Sequence, residues 1–288
     1  MNQIQKLKLH YENDTKEKLS HINQIEDLEK IFERLQKKYL NFTFETSKSI
    51  TNPMKMTQIK VLTNALMKTN ESIIVLLKSQ LYIGSDPLAR VALEHSINLL
   101  YLLDDDTNER SKEFIRNFID TTLNKSKQWY QHCLKINNEY AIKVSKDKVE
   151  MFEQIKKENS KLYNNKKSNW PELYKRFKVC GHEDAYRTLY AMNSDSVHSL
   201  AEDVYNFGTV LNFPIELQSV AIKNFKATNI SLSIYHGIKT LYYFGLVLVK
   251  LSSKLDQDKE KIEIIKLVNS LAPFLVIHGE EVEFEEIN

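Results

Sequence analysis

The sequence predicts an all-α protein, a multi-helix bundle with long helices and an added N-terminal helical arm. Its 288 residues include only 6 glycines and 5 prolines. Sheet-rich folds use both residue types in many tight turns, so their scarcity favours few turns. Between these residues, apolar side chains recur at three- and four-residue steps, which is the spacing of one helix face. Both observations indicate a small number of long helices.

The glycines and prolines divide the chain into its predicted elements. We expect helices at about residues 17–45, 54–83, 86–103, 107–138, 145–163, 171–179, 183–212, 215–252 and 256–271. Asp86-Pro87 is typical of a helix start, because aspartate caps a first turn and proline fits the first helical position. In the acidic triplet that follows, Asp106 is expected to cap the next helix rather than to bind a metal ion. The predicted units are an N-terminal helical arm (1–50), the bundle domain (51–272) and an acidic tail (273–288).

Charge and cysteine content limit the class of protein. The net charge of +2, from 40 basic and 38 acidic residues, gives no global field that attracts nucleic acid. Cys133 and Cys180 stand in no metal-binding spacing, which indicates free thiols in a reducing compartment. The N-terminus lacks the apolar core of a signal peptide, and the longest apolar run, 241–249, is shorter than the ~20 residues of a membrane span. We therefore expect a cytoplasmic protein without a membrane span.

The predicted helix over 87–103 carries a polar stripe in an otherwise apolar sequence. Arg90, Glu94 and Asn98 are spaced by four and therefore share one face. A charge in a buried helix is costly unless it is paired, and the spacing allows Arg90 and Glu94 to pair within the helix. The stripe is thus either a structural ion pair that fixes packing or part of a functional site.

A second stripe lies on the predicted helix over 183–212 and consists of Tyr186, Tyr190, Ser194 and His198. Asp195 precedes His198 by three residues and either orients it or is solvated. The main core stripe is expected at Leu189, Val197, Leu200, Val204, Phe207 and Leu211. Structural alternatives remain for the polar positions: core tyrosines with bonded hydroxyls, a helix-surface or back-bonding serine, and a hydrogen-bonded interior histidine.

The segment 169–204, NWPELYKRFKVCGHEDAYRTLYAMNSDSVHSLAEDV, resembles an uncharacterised bacterial helical family, domain of unknown function 5677. The matching positions are Trp170, Gly181, Tyr186, Tyr190, Ser194 and His198, with Arg90 and Glu94 upstream. The resemblance covers roughly residues 60–250. It implies a helical bundle in which the arginine, glutamate, tyrosines, serine and histidine converge on one polar cluster.

That family is also similar to the HEPN superfamily of helical bundles, many of which are ribonucleases of toxin–antitoxin, CRISPR and abortive-infection systems. Such enzymes use an arginine followed after four to six residues by a histidine, for phosphate stabilisation and proton transfer. Two pairs here fit that spacing, Arg90 with His95 and Arg176 with His182. On a regular helix the side chains of Arg90 and His95 point about 140° apart. We therefore prefer Arg90 with His198, brought together by packing. The resemblance also implies a homodimer.

Other familiar sites are absent from the sequence. It has no glycine-rich phosphate loop, no His-Glu-x-x-His and no cysteine pair for zinc, and its eight histidines are scattered. We expect no metal and no cofactor. Lysine-rich segments with aromatic residues, at 125–135 and 164–178, suit either single-stranded RNA or solvated helix faces.

Three hypotheses remain open. The first is a defence-associated protein of abortive-infection or toxin type that cleaves RNA without a metal. Its proposed catalytic residues are Arg90, Glu94 and His198; Asn98, Tyr186, Tyr190 and Ser194 complete the cluster, and His95 and Asp195 are weaker candidates. The second is a non-catalytic sensor or adaptor that binds a ligand or a partner. The third is a structural protein that oligomerises through its helices.

Overall fold

The computed structural model describes residues 2–44, 50–163, 168–191 and 201–281, the side chains of 201–203 excepted. Every regular element in these ranges is helical, which confirms the predicted all-α, multi-helix architecture. The elements are α1 (Gln3–Ser20), a 3₁₀ turn (His21–Gln24), α2 (Ile25–Leu40), α3 (Pro53–Lys78), α4 (Tyr82–Leu103), α5 (Glu109–Lys135), α6 (Glu139–Glu158), α7 (Ser160–Tyr163), α8 (Leu173–Val179), α9 (Glu183–Ala185), a π-helical turn (Tyr186–Tyr190), α10 (Ala201–Val210), α11 (Ile215–Lys254), α12 (Asp258–Asn269) and α13 (Ala272–Ile277).

Helices α3, α4 and α11 pack against one another at the centre of the bundle. Two glycines of α11 allow this close approach. A Cβ atom at Gly237 would lie 2.8 Å from Cδ1 of Leu77 on α3, and one at Gly245 would lie 2.3 Å from Cγ2 of Val268 on α12. Both distances are shorter than ordinary carbon–carbon contacts, so only glycine permits this helix spacing.

The N-terminal helices attach to the bundle in two different ways. Helix α2 buries an apolar face, including Leu28 and Leu35, in the core. Helix α1 buries no residue and lies along the N-terminal half of α11. Its contacts there are polar: Lys18 Nζ donates to Thr228 Oγ at 2.8 Å, and Asn224 Nδ2 donates to Asp14 at 2.5 Å. The division of the chain near residue 50 stays a prediction.

Helix α11 is, by length and composition, the one helix of the described ranges that is able to cross a membrane. However, 72% of its most apolar stretch is buried inside the protein. The core helix of a soluble protein has the same properties, so this feature does not distinguish the two cases.

Two predicted helix starts were wrong. Helix α4 begins at Tyr82, and Pro87 lies inside it. Asp86 does not cap a helix because its carboxylate accepts hydrogen bonds from the core side chains His236 and Ser233. The other error concerns the acidic triplet.

Asp105, rather than Asp106, organises the start of α5. Its carboxylate accepts from the backbone N–H groups of Thr107 and Arg110, each at 2.8 Å. Asp106 instead forms an ion pair with Lys254 at 2.6 Å. The triplet therefore joins α4, α5 and α11 through side-chain contacts.

The core stripe predicted over 183–212 was correct only at its beginning. Leu189 is 2% exposed, whereas Val204, Phe207 and Leu211 are 70%, 37% and 67% exposed. Val204 and Phe207 belong to α10 and Leu211 follows it directly; α10 packs beside the N-terminal half of α11 through Phe207 and Phe225, with ring centroids 4.7 Å apart. The faces of α10 that do not contact α11 are exposed to solvent. Val197 and Leu200 lie outside the described residues.

Candidate functional site

The polar stripe of α4 meets the π-helical turn where Arg90 contacts Tyr190. Arg90 Nε donates to the Tyr190 hydroxyl at 3.0 Å, and the guanidinium carbon lies 4.9 Å from the centroid of the same ring. Arg90 and Glu94 are half-buried, and Asn98 is 8% exposed. Two segments 100 residues apart in sequence thus form one polar cluster.

Aromatic rings hold the Tyr190 side chain in place. Tyr186 stacks on Tyr190 with ring centroids 5.2 Å apart and an interplanar angle of 15°. Phe177 of α8 contacts both rings, at 5.4 Å and 5.8 Å between centroids. Tyr190 is only 8% exposed, so the core-tyrosine interpretation also fits it. The turn that carries both tyrosines is π-helical, a conformation that recurs at functional sites.

A second arginine, Arg176 of α8, belongs to the same region. It is 7% exposed, its Nε donates to the carbonyl of Pro171 at 3.1 Å, and its guanidinium lies 5.1 Å from the Trp170 ring centroid. Burial lowers the pKa of Arg176, and the Glu94 carboxylate acts in the opposite direction. Arg176 therefore adds a second guanidinium group to this region, on the helix whose Phe177 packs against Tyr190.

From the sequence, Arg176 was a candidate site residue only through its six-residue spacing from His182. That pairing crosses the end of α8 at Val179, and Gly181 has a left-handed φ of +78°. Arg176 and His182 are therefore not on one helix. One feature of the sequence could have indicated the role of Arg176. It stands six residues after Trp170, and its guanidinium faces the ring of that tryptophan.

Two buried polar atoms of α4 lack a partner among the described residues: Nδ1 of His95 and Oδ1 of Asn98. Burial lowers the pKa of His95, with Glu94 opposing, so its imidazole is neutral at pH 7. Buried polar atoms are nearly always hydrogen-bonded in folded proteins. These two atoms therefore mark a place where a donor from water or a ligand fits.

Three predicted site residues, Ser194, Asp195 and His198, lie outside the described residues. Their predicted approach to Arg90 stays a prediction. From the described residues alone, the cluster consists of two arginines, one glutamate, an asparagine and a bonded tyrosine hydroxyl. This composition carries a net positive charge and suits an anionic group, since guanidinium binds phosphate and carboxylate oxygens in pairs.

A cavity of about 1160 Å³ adjoins the cluster on another face of the same segment. Cys180, His182 and Leu189 line one side of it, and Tyr243 and Lys250 of α11 line the other. The π-helical turn thus carries Tyr190 in the polar cluster and Leu189 at the cavity.

A second polar cluster lies where Asp86, one turn before Arg90 on α4, meets α11, and the sequence did not predict it. His21, His236 and His278 come together there with Asp86 and Ser231, although the eight histidines are scattered along the chain. Within the described ranges, no group of three or more histidine, cysteine, aspartate or glutamate side chains is arranged to hold a metal ion.

Comparison with known proteins identifies a family but no activity. Residues 59–212, more than half of the chain, match the model described as "Family of unknown function (DUF5677)". The predicted resemblance is thereby confirmed, and the matched region includes both α4 and the π-helical turn. No curated protein and no solved structure matches the chain.

Proposed function

We propose, from the premise that this chain belongs to the DUF5677 family of unknown function, that it is a defence-type ribonuclease of HEPN-like character. It would cleave RNA at the Arg90 cluster without a metal ion. The observation that carries the proposal is the Arg90 guanidinium, fixed by the Tyr190 hydroxyl at 3.0 Å and close to Glu94 on the next turn of α4. Bacterial origin, cytoplasmic location, a homodimer and RNA as partner belong to the same proposal.

The proposed reaction is an internal transesterification of the RNA backbone. A general base removes the proton of the ribose 2′-hydroxyl, the oxygen attacks phosphorus, and the 5′-oxygen leaves with a proton from a general acid. Arg90 would stabilise the extra negative charge on the phosphate oxygens in the transition state. Glu94 is the candidate base, and His198 is the proposed acid. The products would be a 2′,3′-cyclic phosphate and a 5′-hydroxyl.

A second function is supported by the unpartnered acceptors. Asn98 Oδ1 and His95 Nδ1 are buried, and a ligand that has both an anionic group and an N–H or O–H donor would satisfy one of them and Arg90 together. The protein would then be a non-catalytic sensor that binds a small anionic ligand. The structural hypothesis, in which the cluster only fixes packing, is the third outcome of the test below.

The test measures RNA cleavage by purified protein in the presence of a chelator, followed by identification of the product ends. Wild type is compared with Arg90→Ala, Glu94→Gln and His198→Ala. We expect Arg90→Ala to reduce the cleavage rate about 100-fold, since it removes a transition-state charge partner. Arg187→Ala is the matched control, because Arg187 lies on the same π-helical turn, is exposed and pairs with Glu183. It should remain within about twofold of wild type.

The same five proteins are induced in cells, with and without phage infection, and cellular RNA is inspected. Cleavage that ends in 2′,3′-cyclic phosphate and is lost in Arg90→Ala supports the ribonuclease. Intact RNA under all conditions, together with a small anion that protects wild type but not Arg90→Ala from thermal unfolding, supports the sensor. Insoluble Arg90→Ala with soluble Arg187→Ala supports the structural hypothesis.

A further inference from the structure

The second polar cluster joins four segments that are distant in sequence. His21 of the 3₁₀ turn places Nδ1 2.8 Å from Ser231 Oγ on α11, and His278, just after α13, places Nδ1 3.4 Å from the same oxygen. His278 Nε2 lies 3.1 Å from Gln24 Oε1, and the rings of His21 and His278 are 4.3 Å apart. We call His21, Gln24, Ser231 and His278 the histidine latch.

One arrangement of protons satisfies all contacts of the latch. Because Gln24 Oε1 only accepts, His278 Nε2 carries the proton and its Nδ1 accepts from the Ser231 hydroxyl. Ser231 Oγ then accepts from Nδ1–H of His21. In this arrangement both imidazoles are neutral, and His21 Nε2 is a buried acceptor without a partner among the described residues.

An added proton breaks this arrangement at either ring. On His278 the proton must go to Nδ1, so the Ser231 hydroxyl can no longer donate to that ring and has to accept from both imidazoles. On His21 the proton must go to Nε2, which becomes a buried N–H group without an acceptor, and such a group is costly. Two protonated rings with centroids 4.3 Å apart would also repel each other.

We propose that the histidine latch is an acid-released device that holds α1 and the end of α13 against α11 at neutral pH and frees them when its histidines are protonated. Helix α1 is the part most dependent on it, because α1 buries no residue of its own. Its other described hydrogen bonds to α11 are those that Lys18 makes with Thr228 and that Tyr11, Asp14 and Thr15 accept from Asn224. This inference does not depend on the proposed ribonuclease.

The charged and titratable groups around the latch do not offset added protons. They are Glu17 and Lys18 on α1, Asp86 on α4, Tyr235, His236 and Lys239 on α11, and Glu280 after α13. Lys239 and Glu280 form an ion pair at 2.5 Å, and Asp86 is engaged by His236 and Ser233. On His21, Glu17 and Lys18 act in opposite directions.

The electrostatics of the buried rings agree with this geometry. Burial lowers the pKa of His278 to about 4, and the neighbouring His21 and His236 act in the same direction; burial also lowers the pKa of His21. Because the pKa of His278 is lower in the latched protein than in a free histidine, the neutral ring stabilises the latched form. This stabilisation is complete above the free pKa of ~6.5 and is lost as the pH falls towards 4. At about pH 5, the proton on His278 alone favours the released form about 30-fold.

The experiment is hydrogen–deuterium exchange of the full chain at about pH 7.5 and about pH 5, corrected for the intrinsic exchange rate. For wild type we expect the protection of peptides from 3–20 to fall more than about tenfold at the lower pH, while peptides of α3 and α4 keep theirs. In the double variant His21→Gln/His278→Gln, whose amides stay uncharged, protection of α1 should change less than about threefold. His132→Gln, an exposed histidine of α5, is the matched control and should behave as wild type.

Equal loss of protection in wild type and in the double variant would overturn the proposal, and so would a wild type without pH response. If the double variant has already lost α1 protection at neutral pH, the ring resonances of wild type decide. According to the proposal, His21 and His278 take up protons only when α1 loses its protection against hydrogen exchange. Titration of both rings near 6.5 with α1 still protected would overturn the proposal.

Discussion

Asp86 and Arg90 lie one turn apart on α4, yet their surroundings are opposite. Asp86 is 9% exposed, and both of its carboxylate oxygens are bonded, one to His236 at 2.9 Å and the other to Ser233 at 3.1 Å. Arg90 is half-buried and packs on Tyr190, and Oδ1 of Asn98, two turns further along α4, has no partner among the described residues. The protein itself satisfies the Asp86 carboxylate, although Nε2 of His236 lacks a described partner, whereas the Arg90 cluster contains an acceptor that an external group could use. Substitutions should therefore affect stability at the first cluster and binding at the second.

The largest effect is expected from His236→Leu. The variant leaves the Asp86 carboxylate buried with Ser233 as its remaining described partner. Removing a hydrogen-bond donor from a buried carboxylate typically lowers the free energy of unfolding by about 3 kcal/mol. Urea denaturation followed by circular dichroism measures this change.

Two further variants sharpen this result. Asp86→Leu/His236→Leu removes both polar partners and should recover most of the lost stability, because no buried carboxylate remains and only the neutral Ser233 hydroxyl loses its described acceptor. The exposed His132→Leu serves as control and should change the free energy of unfolding by less than about 0.5 kcal/mol. A cost below about 1 kcal/mol for His236→Leu alone would contradict the structural role of the Asp86 cluster.

A smaller effect is expected at the Arg90 cluster from Tyr190→Phe. The variant removes the acceptor of the Arg90 hydrogen bond but keeps the ring below the guanidinium. We expect a loss of about 1 kcal/mol in the free energy of unfolding, the usual net value of one hydrogen bond. The same denaturation experiment applies. A loss above about 2 kcal/mol would show that the Arg90 cluster is as structural as the Asp86 cluster.

The smallest effect concerns Cys180. The reactivity of its thiol shows whether the positive charge of the Arg90 cluster lowers the pKa of a neighbouring group. Burial and then Asp104 raise the pKa of this thiol to about 12, and the opposing influence of Arg176 is weaker. Iodoacetamide at about pH 8 should therefore alkylate Cys180 at least about 100-fold more slowly in the folded than in the unfolded protein. Rapid alkylation would mean that Arg176 outweighs burial and activates the thiol.

Much of the fold was predictable from the sequence because helix periodicity and turn residues are local signals. The helices over 54–83, 107–138 and 215–252 were placed close to their observed bounds, α3, α5 and α11. The start of α4 was not, since Asp-Pro has the same local signature whether aspartate caps a helix or faces a histidine in the core. Only the packing of α11 on α4 decides between these cases.

The candidate site was partly predictable for the same reason. The four-residue steps of Arg90, Glu94 and Asn98 reveal a shared face, and the structure places Tyr190 against it. Arg176 was missed because its membership depends on how α8 packs, which no spacing within one helix reveals. The histidine latch was missed because its residues are up to 254 positions apart in sequence, as in the contact of Gln24 with His278. Their convergence is a property of the tertiary fold.

The length of α11 has a mechanical consequence. From Ile215 to Lys254 it is one helix of 40 residues, held at its C-terminal half by the core and flanked by α1 and α10 at its other half. The distance along its axis from His236 to Ile215 is about 32 Å. A tilt of only about 5° around His236 would therefore displace the Ile215 end by about 3 Å. A small rearrangement near the latch residue Ser231 would in this way become a larger movement at the Ile215 end of α11.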